Sequence, residues 1–369
     1  MLRKLELFYS TRFHGMRMGE DWEEYFAPSK RETRKERKRA VQRDRSKYKK
    51  TDQRKVAEKI DTPSNCIHGK VITIRSKDII VYANDHMYTC TVRGVLKLER
   101  TKDKNLIVVG DNVWMRPVDQ TTGVIFAVKS RTSILCRQEH LHRKKQQLVA
   151  ANVDQVLITL SLAEPASRST IIDRYLVAAY KGNFDPVIVF NKMDLREQYP
   201  QEELRVEEYL ALYTSLNIPT IAVSAVTGEG LKELEYVLKS KVSVFSGQSG
   251  TGKTHLINAI TGFELKTGEV RAIGKGAHTT TFAQLLALPF EGWCVDTPGI
   301  RSFGIWDLKK QDLIPAFPEI FSQGCSFANC WHQGEEGCSI PQAIEEGRVS
   351  PFRYASYLSL LESATESKY

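Results

Sequence analysis

Residues 188–194 read IVFNKMD, and residues 245–254 read FSGQSGTGKT. The first stretch closes a β-branched and aromatic run, Val187 to Phe190, that stops at Asn191-Lys192-Met193-Asp194. The second closes another short apolar run, begun at Val242, that stops at a glycine loop. Each sets polar residues at the carboxyl end of a strand, which is where open α/β sheets hold their ligands. Their order decides the fold. In an uninterrupted guanine-nucleotide domain the phosphate loop precedes Asn-Lys-x-Asp; here it follows, more than fifty residues downstream.

Gly247-Gln248-Ser249-Gly250-Thr251-Gly252-Lys253-Thr254 satisfies G-x-x-x-x-G-K-[ST], and it lies between a predicted strand, 242–246, and a helix through HLINAI. Glycines let successive backbone N–H groups turn inward toward phosphates, aided by the positive end of the helix that His255 enters. Lys253 is placed to bridge the β- and γ-phosphates, and Thr254 to ligate Mg²⁺ through its hydroxyl. Further on, EGWCVDTPGI sets Asp296 at the end of an apolar run, where a carboxylate suits the Mg²⁺ shell. Gly299 then offers its N–H to the γ-phosphate. Between these motifs GKGAHTTT, residues 274–281, has the composition of a switch loop. Its candidates are His278 and, as a switch ligand to Mg²⁺, Thr280.

The base motif fits guanine. The Asp194 carboxylate accepts hydrogen bonds from N1–H and the exocyclic amine, a pair adenine does not offer, and such a site penalises the wrong base heavily. Asn191 faces the opposite edge, Lys192 packs along the ring, and Met193 completes the motif. The next predicted strand, 220–224, delivers Ser224-Ala225, whose Ala225 N–H suits the O6 atom. The order is therefore base motif, second base motif, phosphate loop, switch, Mg²⁺ aspartate. That is an α/β P-loop GTPase domain with circularly permuted strands, a rearrangement tolerated when termini lie close together.

The flanks differ in texture. From His68 to about Ser133 short alternating runs punctuated by Gly, Asn and Asp predict five strands and a small barrel of the OB type. Strands then alternate with helices, which predicts a mostly parallel sheet covered on both faces. After Asp307 the chain reads as a short, mainly helical module ending in a helix near 351–362. The expected domains are a basic extension at 1–65, the barrel at 66–135, the GTPase domain at 136–305 and the C-terminal domain at 306–369. Formal net charge is +9, and residues 30–59 carry 15 Lys and Arg against five acids. That segment alone supplies the excess, and with so few aliphatic side chains it suits a solvated arm that neutralises nucleic-acid phosphates. No apolar run approaches the roughly 18 residues of a membrane helix, and residues 1–30 lack a signal-peptide core, so a cytoplasmic protein is expected.

Three of the seven cysteines crowd the last fifty residues beside a histidine. Cys325, Cys330, His332 and Cys338 form C-x₄-C-x-H-x₅-C, a donor set for one structural Zn²⁺ with no open coordination position. In so small a segment metal binding would be much of the folding energy.

Basic arm, barrel, permuted GTPase and Cys₃His segment together resemble the RsgA (YjeQ) family. The residues that carry the resemblance are ANVDQV at 151, IIDRYLVAA at 171, NKMD at 191, GQSGTGKT at 247, HTTT at 278, DTPG at 296 and the four metal donors. These are bacterial GTPases acting on the small ribosomal subunit during its maturation. The resemblance implies GTP hydrolysis stimulated by that subunit, barrel and zinc domains contacting ribosomal RNA, and a monomer. The chain departs from the pattern in its first thirty residues, with acids near Asp21, and in carrying Thr251 and Thr254 where the family often has Val and Ser. Many GTPases orient the attacking water with a glutamine directly after Asp-x-x-Gly. Here that residue is Ile300, so slow intrinsic turnover is expected, with His278 the candidate to orient water on the ribosome. The competing reading is an RNA-binding GTPase of translation or RNA metabolism with another activator. A P-loop ATPase conflicts with Asp194.

Overall fold

The computed structural model describes residues 65–75, 78–93, 107–138, 146–262, 283–296 and 308–364, with backbone only at 136–138, 146–147 and 296. The basic arm at 30–59 lies outside the described residues. The first five strands are β1 (Ile67–Arg75), β2 (Asp78–Ala83), β3 (His86–Val92), β4 (Asn112–Pro117) and β5 (Thr122–Val128). They pair in the order β1-β2-β3-β5-β4, and β4 returns to β1, so the sheet closes into a barrel. The β3–β5 pairing is parallel, and the other pairings within the barrel are antiparallel. Alternation along the strands turns Val71, Ile79, Val81, Cys90, Val113, Met115 and Ile125 inward into one buried core. Gly123 packs closely there: a Cβ on it would lie 2.5 Å from the Met115 methyl, which would have to shift.

A hairpin, β6 (Ile134–Gln138) with β7 (Gln146–Ala151), leads out of the barrel. Sequence patterning does not predict it. Asn152 ties this exit down. Its Nδ2 donates to the Gly110 carbonyl (3.0 Å), and its Oδ1 accepts from the Thr132 N–H (3.0 Å). Gly110 sits at φ +86°, where a Cβ would fall 2.1 Å from the Ala151 carbonyl oxygen. Buried Asp111 beside it takes two hydrogen bonds from Arg131, at 2.7 and 2.8 Å.

The main sheet continues through β8 (Gln155–Ser161), β9 (Asp185–Asn191), β10 (Thr220–Ala222), β11 (Val242–Ser246), β12 (Gln284–Ala287) and β13 (Trp293–Asp296). Its order is β10-β9-β8-β11-β13-β12, after which β1 of the barrel follows. β8 to β11 and β13 run parallel; β12 is antiparallel to β13. β8 and β11 are buried along their whole length, including the small polar residues Thr159, Ser161, Ser243 and Ser246. Period two still sorts their side chains. Val156, Ile158 and Leu160 face a layer containing α1 (Ser169–Lys181) and α2 (Pro200–Ser215). Leu157, Val187, Val189 and Phe245 face the other layer, α3 (Leu231–Leu238) and α4 (Lys253–Thr261).

The C-terminal residues form short helices, α5 (Pro318–Phe321) and α6 (Ile340–Glu345), followed by α7 (Pro351–Ser363). α7 packs on α1 through a buried charge. Arg353 is fully buried and bonds Asp173 of α1, Glu319 of α5 (2.7 Å) and the Ala316 carbonyl. Tyr213 of α2 donates to the same Asp173 carboxylate (2.7 Å), and the guanidinium lies 4.2 Å from the centre of the Phe317 ring. Burial opposes the charge on Arg353, but the facing carboxylates of Asp173 and Glu319 outweigh it and keep the guanidinium protonated. Removing one partner of such a group leaves buried carboxylates uncompensated. Arg353→Ala is therefore expected to lower unfolding free energy by about 3–5 kcal/mol, read from denaturant titration, whereas Arg348→Ala on the exposed Glu346 pair should cost under about 1 kcal/mol.

Candidate nucleotide site and metal centre

β10, β9, β8 and β11 run parallel in that order, so the residues that follow them share one crevice at their carboxyl ends. Asn191 is the last residue of β9 and is buried. Its carboxamide is used at both ends: Nδ2 donates to the Thr251 carbonyl in the phosphate loop (2.9 Å), and Oδ1 accepts from the Ala225 N–H (3.2 Å). One side chain thus holds the three motif segments together. Lys192 then adopts a left-handed conformation, φ +65°, which ends the strand and starts a 3₁₀ turn over Met193–Leu195. Met193 is buried in the core, and its N–H bonds the Val223 carbonyl (3.2 Å), so it anchors the motif from beneath. The Lys192 ammonium donates to the Glu164 carbonyl (2.6 Å) and reaches the Ala163 carbonyl (3.4 Å).

Asp194 is oriented from β10. Ser224 donates its hydroxyl to Asp194 Oδ1 (2.6 Å) while accepting from the Val226 and Thr227 N–H groups, at 3.2 and 3.1 Å. The hydroxyl therefore fixes both the carboxylate and the turn that carries Ala225. An ion pair from Arg196 to both Glu229 oxygens ties the two base segments together further out.

The phosphate loop is shaped by where it touches its neighbours. Gly247 has φ +150°, and a Cβ there would lie 2.0 Å from the Thr159 carbonyl oxygen of β8. Gly250 and Gly252 adopt φ +87° and +84°. Gln248 and Ser249 lead over the crest, Ser249 exposed, while Thr251 is buried and donates its hydroxyl to the Gln248 carbonyl (3.1 Å). Lys253 donates its ammonium to the Gly247 carbonyl (2.9 Å) and to that of Gln248. α4 starts here, with Thr254 half-buried and His255 exposed in its first turn, and no acid opposes the positive helix end. The Asp296 backbone ends β13 beside β11, the strand that feeds the loop. His278, Thr280, Gly299 and Ile300 lie outside the described residues.

The loop 162–167 contributes although sequence reading passes over it. It follows the central strand β8, supplies both carbonyls that hold Lys192, and brings Pro165 beside Gly250. Its position after a central strand was the available signal. A cleft of about 300 Å³ bounded by Thr132, Asp154, Tyr180 and Asp185 opens at the opposite, amino-terminal ends of β8 and β9.

Cys325, Cys330, His332 and Cys338 converge, with one donor atom from each all within 4.8 Å of one another. The three sulfurs lie 3.4, 3.6 and 3.6 Å from His332 Nδ1, which assigns that nitrogen to the cluster. His332 sits at φ +56°, and its carbonyl accepts from Tyr354 of α7 (2.8 Å), while the Trp331 carbonyl accepts from Tyr357 (2.6 Å). Backbone N–H groups of Ser339 and His332 point at Cys325 and Cys330, as they do toward thiolates. Burial lowers the His332 pKa, which favours the neutral imidazole that coordinates metals. These residues can hold a tetrahedral metal ion with no position left open.

The packing of Gly252 against the base motif yields a test. A Cβ on Gly252 would lie 2.3 Å from Asn191 Nδ2, at a φ that L-residues rarely adopt. Gly252→Ala is expected to weaken guanine-nucleotide binding by about tenfold or more, measured by titration with a fluorescent GDP analogue. Gly262→Ala, at the far end of α4 with open space around it, should leave that affinity unchanged.

Residues 128–306 match the model of the RsgA GTPase family. A Bacteroides fragilis protein named small ribosomal subunit biogenesis GTPase RsgA is 38% identical over 291 residues, 78% of this chain and 93% of that one. A Chlorobaculum parvum protein of the same name is 40% identical over 281 residues, 73% and 89%. Among solved structures, YjeQ from Thermotoga maritima superposes with a TM-score of 0.67 at 34% identity, covering 81% of this chain and 98% of that one. YloQ, described as a circularly permuted GTPase, gives 0.66 at 26% identity, covering 83% and 98%. Permuted motif order, one shared crevice and relatives matched along nearly their whole length agree: the chain belongs to the RsgA family of GTPases.

Proposed function

We propose that the chain hydrolyses GTP to GDP and phosphate as a late maturation factor of the small ribosomal subunit, with hydrolysis stimulated by that subunit. The observation that carries the catalytic half is the Asn191 carboxamide, which joins both base segments to the phosphate loop as one site. The partner is carried by the names of the relatives, small ribosomal subunit biogenesis GTPases.

In this reading Asp194 accepts from guanine N1–H and the exocyclic amine, with Ser224 holding the carboxylate in place. Lys192 lies along the base, held at its tip by the Glu164 carbonyl. The Ala225 N–H, held beside Asn191, is placed for guanine O6, and Lys253 exchanges loop carbonyls for the β- and γ-phosphates. Gly247 to Thr254 and His255 wrap the phosphates with backbone N–H groups and the helix end. Thr254 and Asp296, with Thr280 as the switch ligand, would hold Mg²⁺, which neutralises the charge developing between the phosphates. Gly299 contacts the γ-phosphate. His278 orients the attacking water, a role Ile300 lacks the polar atoms to fill.

Cys325, Cys330, His332 and Cys338 would hold one structural zinc ion, and three thiols with one imidazole, their donors within 4.8 Å of one another, suit it. The domain limits follow as 1–65, 66–135, 136–305 and 306–369. Ribosomal RNA is the expected polyanion for the arm at 30–59. The barrel offers a second contact, since Arg93 and Arg116 both lie 5.1 Å from the centre of the Phe126 ring, and Lys129 lies 4.7 Å from that of Trp114. No helix among the described residues is long and apolar enough to cross a membrane. A cytoplasmic monomer fits this reading.

Hydrolysis measured alone, and with stoichiometric small subunits, large subunits or naked RNA, tests the assignment. Stimulation well above about tenfold by small subunits alone is the expected result. Equal rates in all four mixtures would point to an RNA-metabolism GTPase with another activator. For the metal, elemental analysis should give one zinc per chain, and Cys330→Ser should lose it and expose residues 308–364 to protease; protein that folds fully without zinc would refute the assignment.

A further inference from the structure

β1 belongs to two sheets at once. Its first half, Ile67 to Lys70, pairs with β4 and closes the barrel. Its register against β2 shifts between Val71 and Thr73, and a bulge of this kind re-aims a side chain. Val71 stays in the barrel core, whereas Ile72 joins the buried cluster that holds Leu285 and Val295 of the GTPase sheet. Beyond the bulge Thr73 pairs with Gln284 of β12, and Gln284 pairs on its other side with Asp296 of β13. A single cross-strand row therefore runs Thr73–Gln284–Asp296. A second contact lies alongside. Tyr82 of β2 meets Trp293 of β13 edge to face, with ring centres 5.4 Å apart and planes at 67°.

The position of this junction is asymmetric with respect to the site. The base segments follow β9 and β10 at one margin of the sheet, and the barrel joins at the other. β13 is held by β11 on one flank and by the four-residue β12 on the other. β12 in turn is paired to β1, whose remaining length is locked into the barrel by β2 and β4. A displacement of the barrel is thus delivered to the strand that ends at Asp296, whereas its other ties, Gly110 and Thr132 to Asn152 and Thr132 to Asn183, lie just before β8 and β9, at the sheet end opposite the base segments.

We infer that the barrel is a positioning element for hydrolysis: through the Thr73–Gln284–Asp296 row and the Tyr82–Trp293 contact it sets where β13 ends, and so tunes turnover without tuning guanine recognition. A load placed on the barrel by a bound partner then alters the hydrolytic geometry directly. The inference rests on Asp296 serving the magnesium shell, as proposed above.

Tyr82 gives the cleanest test, because its ring makes the contact while its hydroxyl bonds nearby Asp85 (2.7 Å). Turnover of GTP at saturating Mg²⁺ and GDP affinity without Mg²⁺ are measured for Tyr82→Ala, Tyr82→Leu and Tyr82→Phe. Expected is a kcat about tenfold lower in the Ala and Leu variants, GDP affinity within about twofold of the parent, and full recovery in Tyr82→Phe. Normal GDP binding certifies that each variant is folded, and Tyr82→Leu keeps the test alive if the Ala variant is not. An unchanged kcat, or a kcat that falls in proportion to GDP affinity, overturns the inference. Asp296→Asn in the same assay separates the two levels: wild-type turnover there removes the magnesium reading and the inference with it, whereas a dead Asp296→Asn beside a normal Tyr82→Ala removes the inference alone.

Discussion

The constraint on which the nucleotide site depends is the reach of one carboxamide. Asn191 is buried at the end of β9, and its two polar atoms bond two separate loops. A buried amide left half-satisfied is costly, so the three segments are held to one geometry. The demand propagates outward. The loop must pass within a side chain's width of Asn191, which requires glycine at 252; it must also clear the Thr159 carbonyl, which requires glycine at 247. Lys192 must turn into the left-handed region so that Met193 can bury itself and Asp194 can meet Ser224. None of these demands refers to chain order, which is why permutation leaves the site whole.

The C-terminal module depends on a different kind of contact. Its Cys/His cluster gathers within a loop-rich segment, and Tyr354 and Tyr357 of α7 fasten that segment through the His332 and Trp331 carbonyls. The same helix carries Arg353 into the GTPase layer, among Asp173, Glu319 and Tyr213. The Cys/His cluster and the nucleotide domain are thus joined through one helix, on which Arg353 and Tyr354 are adjacent and Tyr357 follows one turn later.

Much of this was legible in the sequence, for identifiable reasons. Strands at 155–161, 185–191 and 242–246 announced themselves as short runs rich in aliphatic and β-branched residues, and helices at 169–181 and 200–215 because they punctuate those runs. The convergence of 191–194, 224–225 and 247–254 followed from parallel strands whose carboxyl ends are neighbours. The hairpin at 134–151 was not legible, since its Arg and Gln residues interrupt any pattern of alternation. Antiparallel β12 was hidden because four residues carry too little periodicity to read. Arg353 and Asp173 gave no signal, because a charge looks exposed in sequence and only packing reveals otherwise. The loop carbonyls that hold Lys192 belong to backbone, which sequence does not advertise.

The double membership of β1 bears on how such a protein can be taken apart. Along the chain, barrel and GTPase domain look separable, since a hairpin intervenes between them. In hydrogen-bonding terms no boundary exists there, because the barrel covers the open flank of β12. A chain begun after the barrel would present that flank, backed by apolar Leu285 and Leu286, as an uncapped sheet edge. Such edges recruit strands from other molecules. The barrel therefore doubles as a guard against self-association, and selection on solubility alone would keep it fused to the enzyme it covers.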